Sequence, residues 1–400
     1  MTDWARRAAD AVAGFTSTRS KGPDAMFGGP GGPTHAVRAE GARVETADGR
    51  TLVDWTMALG AVSLGYAHPA VTEAVERAVR DGAVGPLPPT LEVEVAEQLC
   101  AAYPGAEQAR FFKTGAEAVQ AAVRLARVAT GRDRVLHCGY HGWLDGPFVG
   151  AGVPGAVGET WAPIPFDDIP ALSAAVGAGV LPAAIVIEPV VERAPSVEWL
   201  RALRALADAS GAVLVFDEIK TGFRLARGGA AEAWGVRPDL AVLGKALANG
   251  FPLAAVVGRA DLMVRVKDTW ISSTLATEHV SLAAAGAVLG VWGTRDVAAH
   301  IARVGQAMLD GLRPLAAPRR VKVAGLPAMW FLRFADEEDE RRFLLGLVAR
   351  GVMLKRGAYN FPSLAHGEEE IATTLEAVAA ALDAGWAAQA ASAAGERRSS

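Results

Sequence analysis

The sequence predicts an α/β fold in which a large domain with a mainly parallel sheet is joined to a smaller α+β domain. From about residue 70, amphipathic helical stretches such as PAVTEAVERAVRDG alternate with short apolar runs such as AAIVIE and AVLVF. This alternation is typical of parallel strands that helices cover on both faces. After about residue 295, helices and strand-like pieces such as MWFLRF follow one another in a different pattern, which indicates the second domain.

Changes in this pattern divide the chain into three parts. Residues 1–60 contain a short helix, the loop FGGPGGPT and a predicted hairpin or small meander around the turn signal Asp48-Gly49. Residues 61–295 form the predicted large domain. Residues 296–400 form the predicted small domain, with which the N-terminal segment packs, and they end in an Ala-rich helix and a disordered tail.

Composition and charge argue against several classes of function. The net charge of −4 gives no reason to expect nucleic acid or an anionic membrane as a partner. The N-terminal stretch lacks the apolar segment of a signal peptide, and no apolar run is long enough to span a membrane. Cys100 and Cys138 lie far apart, which argues against a disulfide framework or a cysteine-based zinc site. We therefore expect a cytoplasmic enzyme without a metal site.

Lys245 is the first candidate for chemistry. It lies in LGKALANGFP, between the apolar runs PDLAVL and LAAVVG. Burial at a strand end disfavours the ammonium form and lowers the pKa of a lysine, which makes it a nucleophilic amine able to form a Schiff base. In the alternative interpretation, the side chain extends from the edge of the core to solvent.

Two acidic residues, Asp217 and Glu218, end the strongly apolar run AVLVF. A carboxylate is costly to bury there unless it meets a cation or hydrogen-bond donors. A protonated pyridine nitrogen would be such a cation, and a carboxylate that pairs with it keeps the cofactor ring able to withdraw electrons. The alternative is a salt bridge with Arg224 or Lys220.

Two loops complete the pattern. In FFKTGAEAVQAAVRLAR, the turn Thr114-Gly115-Ala116 begins a helix whose N–H groups suit a phosphate, although Thr114 could simply cap the helix. In CGYHGW, Tyr140 and His141 follow a strand, where an aromatic ring could stack on a flat cofactor or pack beneath the loop. A phosphate site, an aromatic ring, a carboxylate and an amine are together the contacts that pyridoxal phosphate needs.

The glycines of FVGAGVPGAVG raise an alternative, since Gly150, Gly152 and Gly155 have GxGxxG spacing and could indicate an NAD-dependent oxidoreductase. A dinucleotide site needs a strand directly before this motif and a helix directly after it. The preceding HGWLDGP is loop-like, and the following GETWAPIP predicts no helix. We therefore predict a flexible loop near a site.

The sequence resembles the class III, fold-type I aminotransferases from about residue 35 to 385, in particular the branch with glutamate-1-semialdehyde aminomutase. The motifs that carry the resemblance are DGRTLVDW, LGYAHPAV, KTGAEA, RLARVATGRDRV, YHG, IEPV, FDEIKTGFR and GKALANGFP. The resemblance implies a seven-stranded, mainly parallel sheet in the large domain and pyridoxal 5'-phosphate as the cofactor.

The resemblance also implies a role for each candidate residue. Lys245 forms the Schiff base and moves a proton at the substrate's α-carbon, Asp217 pairs with the pyridine nitrogen, and Tyr140 stacks on the ring. Thr274 reaches the cofactor phosphate of the partner subunit, which implies an obligate homodimer, and Glu188 lies near the ring hydroxyl. The implied cofactor contacts are Thr114, Gly115, Ala116, Tyr140, His141, Glu188, Asp217, Lys245 and Thr274. The predicted substrate contacts are Arg38, which the resemblance implies, together with Lys113 and Trp55.

Departures from the family pattern cluster around the predicted substrate pocket. KTGAEA stands where the family commonly has Asn-Ser-Gly-Thr-Glu-Ala, so that Ala116 lacks a hydroxyl group and Lys113 adds a cation. ATEHV stands where many relatives have a Gly-Asn-Pro turn. These changes favour a divergent aminotransferase over a true aminomutase.

We therefore predict a ping-pong transfer of an amino group from an amino-acid donor to a carbonyl acceptor, such as a sugar or natural-product intermediate. Intramolecular transfer by an aminomutase and epimerisation are the alternatives with the same cofactor. An inactive binding or scaffold subunit is a further alternative, against which the presence of both Lys245 and Asp217 argues.

Overall fold

The computed structural model describes residues 3–147, 150–177 and 181–396 of the chain. The chain divides into two compact units: Met1–His68 with Ala299–Ser400, called the terminal unit, and Pro69–Ala298, called the central unit. Within the described ranges, no helix is both long and apolar enough to cross a membrane.

The secondary structure alternates as follows. The strands are β1 (Ala36–Glu40), β2 (Arg43–Thr46), β3 (Thr51–Asp54), β4 (Gln108–Phe112), β5 (Val135–Cys138), β6 (Trp161–Pro163), β7 (Ala184–Ile187), β8 (Val213–Asp217), β9 (Leu240–Leu243), β10 (Ala254–Gly258), β11 (Lys322–Leu326), β12 (Met329–Arg333) and β13 (Val352–Met353). The α-helices are α1 (Asp3–Ala11), α2 (Pro23–Phe27), α3 (Met57–Gly60), α4 (Pro69–Arg80), α5 (Thr90–Ala102), α6 (Gly115–Thr130), α7 (Gly155–Gly158), α8 (Ile169–Gly177), α9 (Val197–Ser210), α10 (Gly229–Trp234), α11 (Ala260–Met263), α12 (His279–Thr294), α13 (Val297–Ala316), α14 (Glu337–Val348) and α15 (Glu368–Glu396). Short 3₁₀ segments cover Arg19–Lys21, Lys245–Ala248, Val264–Asp268 and Ala317–Arg319.

The central unit contains a seven-stranded sheet of order β4-β10-β9-β8-β7-β5-β6. Neighbours from β9 to β6 pair in parallel, whereas β10 is antiparallel to both β4 and β9. All residues of β7, β8, β9 and β10 are buried. Strands buried on both faces have continuous apolar sequences, which explains runs such as AAIVIE and AVLVF. The predicted mainly parallel α/β sheet is confirmed.

The terminal unit is built on a four-stranded sheet of order β1-β2-β3-β13, in which β13 is parallel to β3. The predicted hairpin around Asp48-Gly49 joins β2 to β3, and Gly49 adopts a φ of +86° that favours glycine. A second, two-stranded sheet pairs β11 with β12. Helix α15 continues to Glu396, further than the predicted disordered tail allows, and residues 397–400 lie outside the described residues.

Candidate active site

Most of the predicted cofactor residues follow the carboxyl ends of strands in the central sheet. Lys245 follows β9, Asp217 ends β8, and Glu188 follows β7. The carboxyl ends of parallel strands lie at one edge of a sheet, where open α/β sheets bind ligands. These side chains accordingly line one cavity of about 310 Å³. The predicted residues that line it are Lys113, Thr114, Gly115, Ala116, Tyr140, Glu188, Asp217 and Lys245.

Lys245 has an unusual backbone conformation and a perturbed amine. Its φ is +47°, in the left-handed region that few non-glycine residues adopt, and such strain is typical of functional sites. Burial lowers the pKa of the amine, as does the charge of Lys220, whereas the carboxylates of Glu188 and Asp217 act in the opposite direction. The net lowering increases the fraction of neutral, nucleophilic amine.

Asp217 is buried and held by two donors. Its Oδ2 lies 2.8 Å from His141 Nδ1, and its Oδ1 accepts a hydrogen bond of 3.2 Å from the Ile219 amide. His141 is itself buried and does not line the cavity. The structure therefore places His141 behind Asp217, where it orients the carboxylate, and a direct contact of His141 with the cofactor stays a prediction.

Glu218 points away from the cavity and is bound by other groups. Its carboxylate accepts hydrogen bonds from the hydroxyls of Tyr103 and Thr221 and from the amides of Ala230 and Ala231 at the start of α10. Burial raises its pKa, and these hydrogen bonds act against that increase. Hydroxyl and amide donors therefore satisfy Glu218, which has a structural role.

Glu188 fixes the loop that carries Tyr140. One carboxylate oxygen accepts a hydrogen bond of 2.9 Å from the Tyr140 amide, and the other lies 2.8 Å from the Lys220 ammonium group. Gly139 has a φ of +101°, and a Cβ atom there would come within 2.6 Å of Glu188. The Tyr140 ring is exposed, so that it is accessible from the cavity side of this loop.

The turn before α6 is a capping box. Thr114 Oγ1 accepts a hydrogen bond from the Glu117 amide, and the Glu117 carboxylate accepts one of 2.8 Å from the Thr114 amide. The alternative that Thr114 caps its own helix is thus confirmed. The capped turn still lines the cavity. Gly115 is needed there because a Cβ atom at this position would lie only 2.4 Å from the Ile219 side chain.

Lys113, predicted as a substrate contact, forms an ion pair of 2.7 Å with Glu278. Glu278 is a residue that the sequence interpretation missed. Its only signal in the sequence is the replacement of the family's Gly-Asn-Pro turn by ATEHV.

The other predicted residues lie elsewhere. Arg38 is exposed on β1 and pairs with Glu40. Trp55 is fully buried in the core of the terminal unit, where its Nε1 donates to Thr374 and its ring stacks on His366. Burial of the whole side chain corrects the predicted substrate contact of Trp55 to a packing role. Thr274 lies in an exposed turn before α12.

The glycine loop of the NAD alternative lacks dinucleotide-binding geometry in its described part. Gly155 begins α7, which has only four residues and leads to strand β6. The preceding strand in the chain, β5, ends well before Gly150. Residues 148–149 lie outside the described ranges. The described geometry therefore gives no support to a dinucleotide site.

The groups around the cavity fit the chemistry of pyridoxal phosphate. Lys245 offers an amine with a lowered pKa for the aldehyde, and the buried carboxylate of Asp217 offers an acceptor for a protonated ring nitrogen. Gly115 and Ala116 provide backbone amides at a helix N-terminus, which suit a phosphate.

Comparisons with known proteins agree with this chemistry. The family model described as Aminotransferase class-III matches residues 30–151 and 169–382. The chain is 36% identical to glutamate-1-semialdehyde 2,1-aminomutase of Gemmatimonas aurantiaca, over 90% of this chain and 92% of that protein. Its fold is similar to that of the FumI protein of Sphingopyxis sp. MTA144 in its PLP internal aldimine form (TM-score 0.91, 27% identity, covering 96% and 95% of the two chains). It is also similar to a transaminase with PLP bound (TM-score 0.88, 28% identity, covering 96% and 97%). The chain therefore belongs to the class III aminotransferase family and is a pyridoxal-phosphate-dependent aminotransferase or aminomutase.

Proposed function

We propose that this protein transfers an amino group from an amino-acid donor to a carbonyl group on a second molecule in a ping-pong reaction. The observation that carries the proposal is the placement of Lys245 and Asp217 at the ends of the adjacent strands β9 and β8, in the wall of one cavity. When bound, pyridoxal phosphate supplies an aldehyde that condenses with amines and a protonated ring that withdraws electrons.

Lys245 is the proposed proton carrier. Burial lowers the pKa of this amine and so increases its neutral fraction, and the neutral amine can accept a proton from the α-carbon of the donor. The ammonium form that results can return the proton at the C4′ atom of the cofactor. In the second half of the reaction the same amine moves a proton in the opposite direction.

The proposed roles of the remaining residues follow from their positions. Asp217, oriented by His141, would accept the ring N–H and keep that nitrogen protonated. Tyr140 would stack on the ring, and Glu188, which holds the loop of Tyr140, would lie near the ring hydroxyl. The amides of Gly115 and Ala116, in the turn that Thr114 begins, would bind the phosphate, because the Thr114 amide already donates to Glu117.

The proposed acceptor is a sugar or another natural-product intermediate. Support comes from the departures at the cavity wall, since Ala116 and Lys113 replace residues that are common in the family. A transaminase is also among the similar solved structures. The sequence relatives named as aminomutases support the second candidate, intramolecular transfer within one substrate.

We also propose that the protein is a homodimer in which Thr274 reaches the cofactor phosphate of the partner subunit, and that it acts in the cytoplasm. Support for the dimer comes from the turn of Thr274, which is exposed and lies near the exposed side chains of Trp270 and Leu275 in the sequence. The separated cysteines support a reducing compartment.

Reduction with borohydride tests the role of Lys245. Wild-type protein should keep cofactor covalently fixed after reduction, and Lys245→Ala should fix none and lose at least about a thousandfold in rate. Lys267→Ala, which removes an exposed lysine of the same unit, is the control and should behave as wild type. Full activity in a protein that binds no cofactor would refute the proposal.

Nitrogen labelling separates the two candidate reactions. A donor amino acid carrying ¹⁵N is incubated with the protein and a panel of carbonyl acceptors, and each product is analysed by mass spectrometry. Label in the acceptor demonstrates transfer between molecules. Conversion of a single substrate to its isomer, without label from the donor, would instead identify an aminomutase.

A further inference from the structure

Lys113 and Glu278 form an ion pair between the starts of two helices. Lys113 is the residue before Thr114, which caps α6, and Glu278 caps α12. The Lys113 Nζ and Glu278 Oε1 atoms are 2.7 Å apart, and the two side chains are only 17% and 16% exposed. The pair therefore joins segments 165 positions apart in the sequence.

Glu278 is held as a carboxylate by several donors at once. Its oxygens accept hydrogen bonds of 2.7 Å and 2.9 Å from the amides of Val280 and Ser281. Burial raises its pKa, but the hydrogen bonds from Lys113 and Ser281 outweigh burial, so that the pKa lies below the ordinary value.

Lys113 places a cation on the cavity wall beside the start of α6. A helix N-terminus carries about half an elementary positive charge, but the Glu117 carboxylate in the first turn of α6 offsets it here. Glu278 likewise offsets the start of α12 while it pairs with Lys113. Lys113, Thr114, Gly115 and Ala116 all line the cavity, and Ala116 has no hydroxyl group with which to bind an anion.

We propose that Lys113 binds the phosphate group of the cofactor and that Glu278 positions its ammonium group for this contact. The inference rests on the proposed placement of the phosphate at the start of α6. It differs from the sequence-based expectation that Lys113 contacts the substrate. An ammonium group is a strong phosphate ligand, and here it takes the place of the missing hydroxyl at position 116.

Cofactor binding by four variants tests this inference. The apoprotein is titrated with pyridoxal phosphate and, separately, with pyridoxal, which lacks the phosphate group. Lys113→Gln should weaken binding of pyridoxal phosphate by roughly tenfold or more, because the Glu278 carboxylate is then unpaired beside a dianion. Binding of pyridoxal should not change, and Lys113→Arg should keep most of the affinity for pyridoxal phosphate.

The double variant separates a phosphate contact from a structural bridge. Glu278→Gln alone should weaken binding of pyridoxal phosphate by less than Lys113→Gln does, because the ammonium group stays but loses the carboxylate that positions it. Adding Glu278→Gln to Lys113→Gln should recover part of the lost affinity, because the repulsive charge is gone. Arg204→Gln breaks an ion pair of 2.9 Å with Asp239 elsewhere in the central unit and is the control.

Three results would overturn the inference. If both single variants weaken pyridoxal phosphate and pyridoxal equally, the pair is only a structural bridge. If Lys113→Gln leaves cofactor affinity unchanged but raises the KM of an amino donor, Lys113 contacts the substrate. If wild-type protein binds pyridoxal phosphate no better than pyridoxal, the proposed placement of the phosphate itself fails. Borohydride fixation on Lys245 would still test the proposed function independently in that case.

Discussion

Asp217 and Glu218 are adjacent in the chain, yet they have opposite roles. The side chain of Asp217 lines the cavity, whereas that of Glu218 accepts hydrogen bonds at the start of α10. Successive side chains at a strand end point to opposite sides, so a pair of acids there divides into one functional and one structural carboxylate. The sequence predicts that both are buried, and the pairing partners become clear only from the fold.

His137 makes the central unit sensitive to acid. Burial and the neighbouring His141 lower the pKa of His137 to about 4. The unfolded chain therefore binds a proton more tightly than the folded chain between pH 4 and the ordinary value of 6.5, and stability falls as the pH decreases through that window. The expected loss from this residue between pH 7 and pH 5 is about 2 kcal/mol.

His137→Phe should remove this acid-dependent loss while keeping an aromatic ring against Trp161. Urea unfolding of both proteins at pH 7 and pH 5 provides the measurement. The variant should lose less free energy of unfolding than wild type on acidification. Equal losses in the two proteins would show that His137 does not contribute.

At the scale of secondary structure, strand ends were the most predictable feature of the site. Apolar runs predict β8 and β9, and polar residues directly after them are therefore expected at one edge of the sheet. The contact of Lys113 with Glu278 has no local pattern, because it joins the residue after β4 to the N-cap of α12 across 165 positions. The burial of Trp55 has no local pattern either, because it depends on α15, far away in the sequence.

The loop after β5 depends on a glycine. Gly139→Ala should destabilise the protein by about 3 kcal/mol or more, because the left-handed conformation is strained and the new Cβ would press on Glu188. Gly131→Ala is the matched control: its φ of +66° is also left-handed, but a Cβ there meets open space. The control should lose only about 1 kcal/mol in denaturant unfolding. Equal losses of unfolding free energy in Gly139→Ala and Gly131→Ala would show that the contact with Glu188 does not contribute.

At the scale of the whole molecule, the proposed homodimer would account for the exposed turn around Thr274. Trp270 is 95% exposed, and Leu275 is also exposed. Large exposed apolar side chains close to the proposed phosphate contact Thr274 are what a protein interface would cover. A second copy of the chain that covers this surface would bring Thr274 to the neighbouring cofactor.

Trp270→Arg should therefore convert the proposed homodimer into monomers and weaken cofactor binding. Light scattering after size-exclusion chromatography measures the mass, and titration of the apoprotein measures the affinity. Trp4→Arg changes another exposed tryptophan, in the terminal unit, and should leave both unchanged. A dimeric Trp270→Arg variant would contradict this assignment of the interface.

The hydrogen bond from the Tyr140 amide to Glu188 has a consequence for protein engineering. The path of the loop is set by a backbone hydrogen bond and by Gly139, and the exposed side chain of Trp143 has no part in that bond. Position 143, which lines the cavity, can therefore be randomised to vary the shape of the cavity while the loop keeps its course. Libraries that also vary position 188 would remove the carboxylate that holds the loop through the Tyr140 amide.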